Sequence, residues 1–160
     1  MRGSNVALAV GALVAVAAAG CGGDGGGAGE PLMSGALTGN YKGQAFTPMF
    51  GFAATNGTSH LVAVGDGPLN CAAVTAPDPP YGTNALISIP AFEVGTYSSR
   101  LVQILRNVGN FEGTGTNSGS VEITTVTADS VAGSVTYSYT DDNSQTYGLW
   151  GTFEVIRCAN

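Results

Sequence analysis

Few residues in this chain are of a type and spacing that could do chemistry. Its one histidine, His60, stands in Ser59-His60-Leu61-Val62, and its one adjacent carboxylate pair is Asp141-Asp142. A nucleophilic Ser or Cys needs a positioned base beside it. A lone His at a strand start, in a chain with no G-x-S-x-G elbow, does not supply that arrangement. His60 therefore reads as a half-exposed strand histidine. Asp141-Asp142, followed by Asn143, falls between two strand-like runs, where Asp favours turns by bonding its own backbone. A weak Ca²⁺ or partner contact is the rival use of the pair, but the spaced oxygen ligands of a Ca²⁺ loop are missing. Gly113-Thr114-Gly115 is followed by no helix signal, and Lys42, the sole lysine, lies outside a phosphate-loop context. Cys71 and Cys158 lack a CxxC partner and have one distant His, a poor zinc set. No catalytic residue, metal or cofactor is expected, and the chain is not expected to be an enzyme.

The remaining candidate is Trp150. Along Tyr147–Cys158, alternation puts Trp150 on one face with Thr152 and Glu154, and Leu149, Phe153 and Val155 on the other. If the second face is core, Trp150 is an exposed aromatic beside small hydroxyl side chains, able to stack on a sugar ring or a partner protein. If Ile156 and Cys158, which share its face, are buried, Trp150 packs with them.

The elements that must position these residues are β-strands. The chain has 160 residues, 5 Lys+Arg, 11 Asp+Glu and 25 Gly, with 10% charged side chains. Soluble proteins average roughly 25% charge. So little charge, with so much Gly and a net charge of −6, excludes a helical bundle, a coiled coil and a nucleic-acid binder. A hydrophobic content of 44% excludes an acidic disordered tail. Strand runs Leu37–Tyr41 and Gln44–Pro48 flank a tight turn at Lys42-Gly43, and Met49–Thr55 and Ser59–Gly65 flank a second at Asn56-Gly57. Pro77-Asp78-Pro79-Pro80 reads as an exposed loop. Leu86–Phe92 and Thr96–Arg106 follow as strands, then a Gly/Asn/Thr-rich loop over Asn107–Ser118. Leu101, Ile104, Leu105 and Val108 also match a helical stripe, but the surroundings are β-rich and no N-cap precedes them. Gly119–Thr127, Val131–Thr140 and Tyr147–Cys158 read as an antiparallel meander. About eight antiparallel strands imply an all-β fold, a sandwich or small barrel, in a single domain over 31–160.

The beginning of the chain reads as an address. Met1-Arg2 is followed by Val6–Ala19, an apolar run of 14 residues, too short to span a bilayer and suited to the h-region of a signal peptide over 1–20. Gly22–Glu30 has almost no side chains to pack and reads, with Cys21, as a flexible tether. Ala18-Ala19-Gly20-Cys21 resembles the lipobox of bacterial lipoproteins. That resemblance implies cleavage before Cys21, a thioether from Cys21 to diacylglycerol, and acylation of the new amine with palmitate-type chains. The alternative is ordinary cleavage after Ala17-Ala18-Ala19, leaving Cys21 a free thiol. Gly22, where the enteric sorting rule would place Asp for inner-membrane retention, implies the outer membrane by the same resemblance. Three acyl chains anchor effectively permanently. Loss of Arg2 leaves a mature net charge of −7.

With Cys21 occupied, Cys71 and Cys158 form an even pair in an oxidising compartment, and a disulfide between them is expected, closing a span of 87 residues. The wider pattern resembles a group of short, largely uncharacterised Gram-negative lipoproteins, with a lipobox, a Gly-rich tether, an opening hairpin, a mid-chain Cys and a closing strand ending in Cys. The pieces that carry it are Gly39–Phe46, Gly119–Thr124, Val131–Ser134 and Gly151–Cys158. The resemblance implies a fold and an address, with no activity attached. The functional expectation is a non-enzymatic envelope lipoprotein that is structural or binds an envelope protein or glycan. The alternative is a lipoprotein binding a small ligand or carbohydrate in the β-domain interior or on an exposed aromatic face.

Overall fold

The computed structural model describes residues 33–74 and 80–159. The expected signal peptide, Cys21, the tether and Pro77-Asp78-Pro79 lie outside the described residues. The described chain is all-β, as the alternation implied, with ten strands where about eight were expected. They are β1 Met33–Ser34, β2 Leu37–Tyr41, β3 Gln44–Phe46, β4 Phe50–Asn56, β5 Ser59–Gly65, β6 Gly82–Ile89, β7 Gly95–Asn107, β8 Phe111–Val126, β9 Ser130–Thr140 and β10 Thr146–Arg157. A 3₁₀ turn occupies Cys71–Val74.

Turn chemistry sets the hairpins. Tyr41 pairs with Gln44 across a two-residue loop, Lys42-Gly43, whose φ values of 52° and 82° match the right-handed twist of the flanking strands. In the second hairpin the closing pair is Asn56 and Ser59, so the loop is Gly57-Thr58, one residue beyond the expected Asn56-Gly57. Positive φ falls there on Gly57, at the first loop position, where glycine belongs. Leu101–Val108 is settled as strand through Asn107, with Val102 and Ile104 buried.

The expected loop over Asn107–Ser118 is a correction. Only residues 108–110 turn, and β8 begins at Phe111. Its small residues complement bulky neighbours. A Cβ on Gly113 would strike the Leu105 side chain, and one on Gly115 would lie 2.6 Å from Gln103 Cγ.

Closure makes the fold a barrel of seven strands, β4 to β10. Antiparallel neighbours run from β4 through β10, and the seam is one short parallel contact, Ile156 with Phe52 and Arg157 with Ala53. Cys158 N donates to Ala53 O at 2.8 Å and extends that seam. Upstream of it, the free edge of β10 pairs with β1 and β2, and β3 hangs on β2.

The interior is filled by alternate residues of the strands, among them Val62, Ile87, Ile104, Ile123, Tyr137 and Leu149, each at most 1% exposed. A second apolar cluster lies on the outside of β4 and β5, where Phe52, Ala54 and Ala63 pack with Leu69 and Cys158. Both faces are thus covered over Phe50–Ala54 and Leu61–Val64, which is why these stretches are apolar without a break. The Cys71–Cys158 disulfide (Cα–Cα 5.5 Å) fastens this cover to the end of β10.

Turns 42–43, 108–110 and 141–145 gather at one rim, where Gly43 N donates to Thr146 O at 3.1 Å. At the opposite rim Arg157 N donates to Asp129 O at 2.8 Å, and Met33 of β1 pairs with Val155.

Candidate functional site

Strand β10 is the longest-shared element of the fold, hydrogen-bonded to β9 along its whole length and to β2 over Tyr147–Gly151. Its inward residues Leu149, Phe153 and Val155 are buried. Trp150, Thr152 and Glu154 therefore face outward, and Trp150 is 46% exposed. Both halves of the sequence argument hold in part. Cys158 is buried and Ile156 packs with it, but beneath the 66–74 cover, well along the strand from the indole.

Around Trp150 the neighbours are small and polar. Thr38 of β2 and Thr136 of β9 stand directly opposite it, and Asn40 and Ser138 stand opposite Gly148. The six-membered part of the indole lies over Gly148, so closely that a Cβ there would strike it. The ring thus occupies space that a side chain at Gly148 would fill.

Beyond Trp150 the same outer face opens into a groove of about 370 Å³, lined among others by Ser34, Glu122, Ser134, Thr152 and Glu154. Registers bring these together: Thr152 pairs with Ser134, Ser134 with Glu122, and Glu154 with Ser34. Ser34 Oγ donates to Glu154 Oε2 at 3.3 Å. Thr152 Oγ1 accepts from Ala36 N at 3.1 Å, which ties the groove wall to the β1–β2 segment. The four described basic side chains, Lys42, Arg100, Arg106 and Arg157, are absent from its lining.

A second groove, of about 270 Å³, lies at the rim among Tyr41, Lys42, Arg106 and Glu112. Its charges answer one another. Lys42 pairs with Glu112, the only ion pair among the described residues, and Tyr41 Oη donates to Glu112 at 3.1 Å. The Lys42 contact holds the Glu112 carboxyl below its ordinary range, and the same contact raises the Lys42 ammonium. Burial, reinforced by the bond to Glu112, pushes the Tyr41 phenol up.

The other sequence candidates stay apart. His60 begins β5 and meets Phe92 edge to face at 4.9 Å. Asp141 is a turn residue: its Oδ1 accepts from Asn143 N at 2.9 Å and from Gln145 N at 2.8 Å. Among the described residues no group of three or more His, Cys, Asp or Glu is placed to hold a metal.

Glu122, Ser134 and Ser34 were not singled out in the sequence. Alternation alone would assign Glu122 and Glu154 to outward faces, but their meeting across β9 depends on register. The bulge between Ile123 and Thr125 shifts that register by one.

The class that fold and site define is a closed, disulfide-bonded β-barrel with an aromatic and acidic strip on its outer wall. Compared with family models, with curated proteins and with solved structures, the chain matches none.

Proposed function

We propose that this protein is a non-catalytic envelope lipoprotein, anchored through acyl chains on Cys21, that presents a rigid barrel on a Gly-rich leash and binds a partner with its outer wall. The observation that carries the reading is the contrast between inside and outside. The described interior is occupied by large apolar side chains, whereas the wall displays a half-exposed indole beside an open polar groove. Rigid aromatic side chains offer contact area at small entropic cost, which favours the wall over the interior as the place of recognition.

The Val6–Ala19 run, the lipobox-like Ala18–Cys21 and the Gly-rich segment support the anchor. Because β1 starts at Met33 beside Val155, the leash would leave from the rim that carries residues 127–129. The Gly22 position favours the outer membrane.

The test is metabolic labelling of the full chain with an alkyne-tagged fatty acid in a Gram-negative host, followed by membrane fractionation. Label and membrane retention are expected for the natural sequence, and both should be lost in Cys21→Ser. An unlabelled natural protein, or an unaltered distribution of Cys21→Ser, would overturn the anchor.

A further inference from the structure

We propose that the outer wall of β8, β9 and β10 around Trp150 is a binding site for a neutral saccharide. The proposal rests on the wall-binding reading above and names its ligand class.

Three observations converge on this site. The six-membered part of the indole reaches back over Gly148, and Trp150 is 46% exposed on the outer wall. The face of a pyranose that carries C–H groups presents hydrogens of partial positive charge, which suit the negative π-face of an indole. Thr38 and Thr136 stand opposite Trp150 on the neighbouring strands, and Asn40 and Ser138 opposite Gly148, as polar side chains that can exchange hydrogen bonds with the ring substituents of a stacked sugar.

The groove begins on the same outer face two residues further along β10, at Thr152, on the side of Trp150 away from Gly148. Side chains on one face of a strand recur every ~7 Å, so Glu154 stands ~13 Å from Trp150 along β10. That is longer than one sugar ring, and it suits a chain of linked rings lying along the strand. Glu122 and Glu154 line the groove from opposite sides of β9, Glu122 opposite Ser134 and Glu154 opposite Ala132, two residues along. Ionised carboxylates accept only, and sugar hydroxyls are donors, so each can take one or two charge-assisted hydrogen bonds.

Charge decides the class of saccharide. The groove holds two carboxylates and none of the described basic side chains, on a protein whose net charge is −6. Phosphorylated, sulfated or uronic-acid glycans would be repelled, and a lipid surface rich in anionic head groups likewise. A protein partner fits less well. Stable protein interfaces bury ~800 Å² per side around an apolar centre, and here one indole stands among hydroxyls and carboxylates.

Trp150 is the sole tryptophan, so its emission reports on the site directly. The full-length protein, held in lauryldimethylamine oxide to avoid a sugar-headed detergent, is titrated with chitotetraose, cellotetraose and maltotetraose, and with tetragalacturonate as the anionic contrast. A wider set of neutral glycans is screened on an array. A saturable emission change is expected with a neutral oligosaccharide and none with tetragalacturonate. By calorimetry, Trp150→Ala should weaken binding at least ~10-fold, with Trp150→Phe between the two. Glu122→Ala and Glu154→Ala should each weaken it several-fold.

The Trp150→Ala variant is checked for its far-ultraviolet spectrum and its disulfide, so that lost binding is not lost folding. Failure of every neutral glycan, equal binding of tetragalacturonate, or unchanged binding by Trp150→Ala would overturn the proposal. So would an emission change that follows protein concentration without sugar, which would assign the wall to a second copy of the chain. Fatty-acid labelling at Cys21 is unaffected by any of these results, and capture of an envelope protein through the wall would sustain the broader reading while removing this one.

Discussion

Lys42 Nζ lies 2.5 Å from Glu112 Oε2, joining a hairpin turn to a strand 70 residues further along the chain. No backbone pairing links β3 to β7 or β8, so side chains do the joining. Arg106 Nη1 donates to Gln44 Oε1 at 3.3 Å, and Arg106 and Lys42 both lie over the Tyr41 ring. These side-chain contacts tie the β2–β3 hairpin to the β7–β8 turn at the rim they share, while β3 remains the edge strand of the sheet.

That pair is exposed, with side-chain accessibilities of 36% and 54%, so its contribution is small and screened by salt. The Glu112 carboxyl is depressed, so its stabilisation is fully present above its ordinary value of 4.5 and lost as pH falls through the lower folded value. The Lys42 ammonium is raised, so its share is present below 10.5 and lost above the folded value. Lys42→Ala should lower the melting temperature slightly at neutral pH and low salt. The difference should vanish in concentrated salt and at acid pH, as thermal melts over a pH series will show.

Alkaline pH should act through tyrosines. Tyr41, Tyr137 and Tyr147 all have raised phenols, chiefly because burial disfavours the phenolate, with Asp141 adding repulsion at Tyr147. Raised values mean that folding is favoured below pH 10 and weakened as these groups ionise. These three should ionise above the ordinary phenol range, together with the loss of β structure. Absorbance at the phenolate band and circular dichroism, followed through one alkaline titration, test this coincidence. Ionisation of Tyr41, Tyr137 and Tyr147 in a still-folded protein would contradict it.

Reduction of Cys71–Cys158 should be costly. The bridge closes an 87-residue span and fastens the cover of the second apolar cluster. Chain-entropy arguments put the loss at roughly 4–5 kcal/mol. Denaturant unfolding of the Cys71→Ala/Cys158→Ala double variant should show a lower midpoint, and the loss should be far smaller if the cover holds β10 without the bridge.

Gly151, between Trp150 and Thr152, should not tolerate a side chain. Its φ is +122°, and a Cβ would strike Ala36 O of the β1–β2 segment. The backbone strain alone is worth ~1–3 kcal/mol. Gly151→Ala should lower stability and disturb the Trp150 emission, whereas Gly43→Ala, at a turn with nothing within 4 Å of the added carbon, should disturb stability alone.

Trp150 itself should behave as a surface residue. Its emission should lie near that of solvated indole, with ready acrylamide quenching, and Trp150→Ala should shift stability within ~0.5 kcal/mol. A blue-shifted, poorly quenched tryptophan would place it in a packed setting and remove it as a platform.

Much of this molecule is legible in the sequence because alternation is local. The meander of β8, β9 and β10, the turn at Lys42-Gly43 and the outward side of Trp150 follow from side chains within a few residues of one another. The pairing of Cys71 with Cys158 follows from parity once Cys21 is assigned elsewhere. Other features are decided between distant segments. Gly113 and Gly115 look like loop residues until Leu105 and Gln103 are laid across them. The seam that closes the barrel is two residue pairs between β10 and β4, the parallel contact that no turn announces. The alignment of Glu122, Ser134 and Thr152 depends on a register displaced at the bulge between Ile123 and Thr125. Alternation sets which face a side chain takes, but register sets its neighbours, and a single slipped residue changes them all.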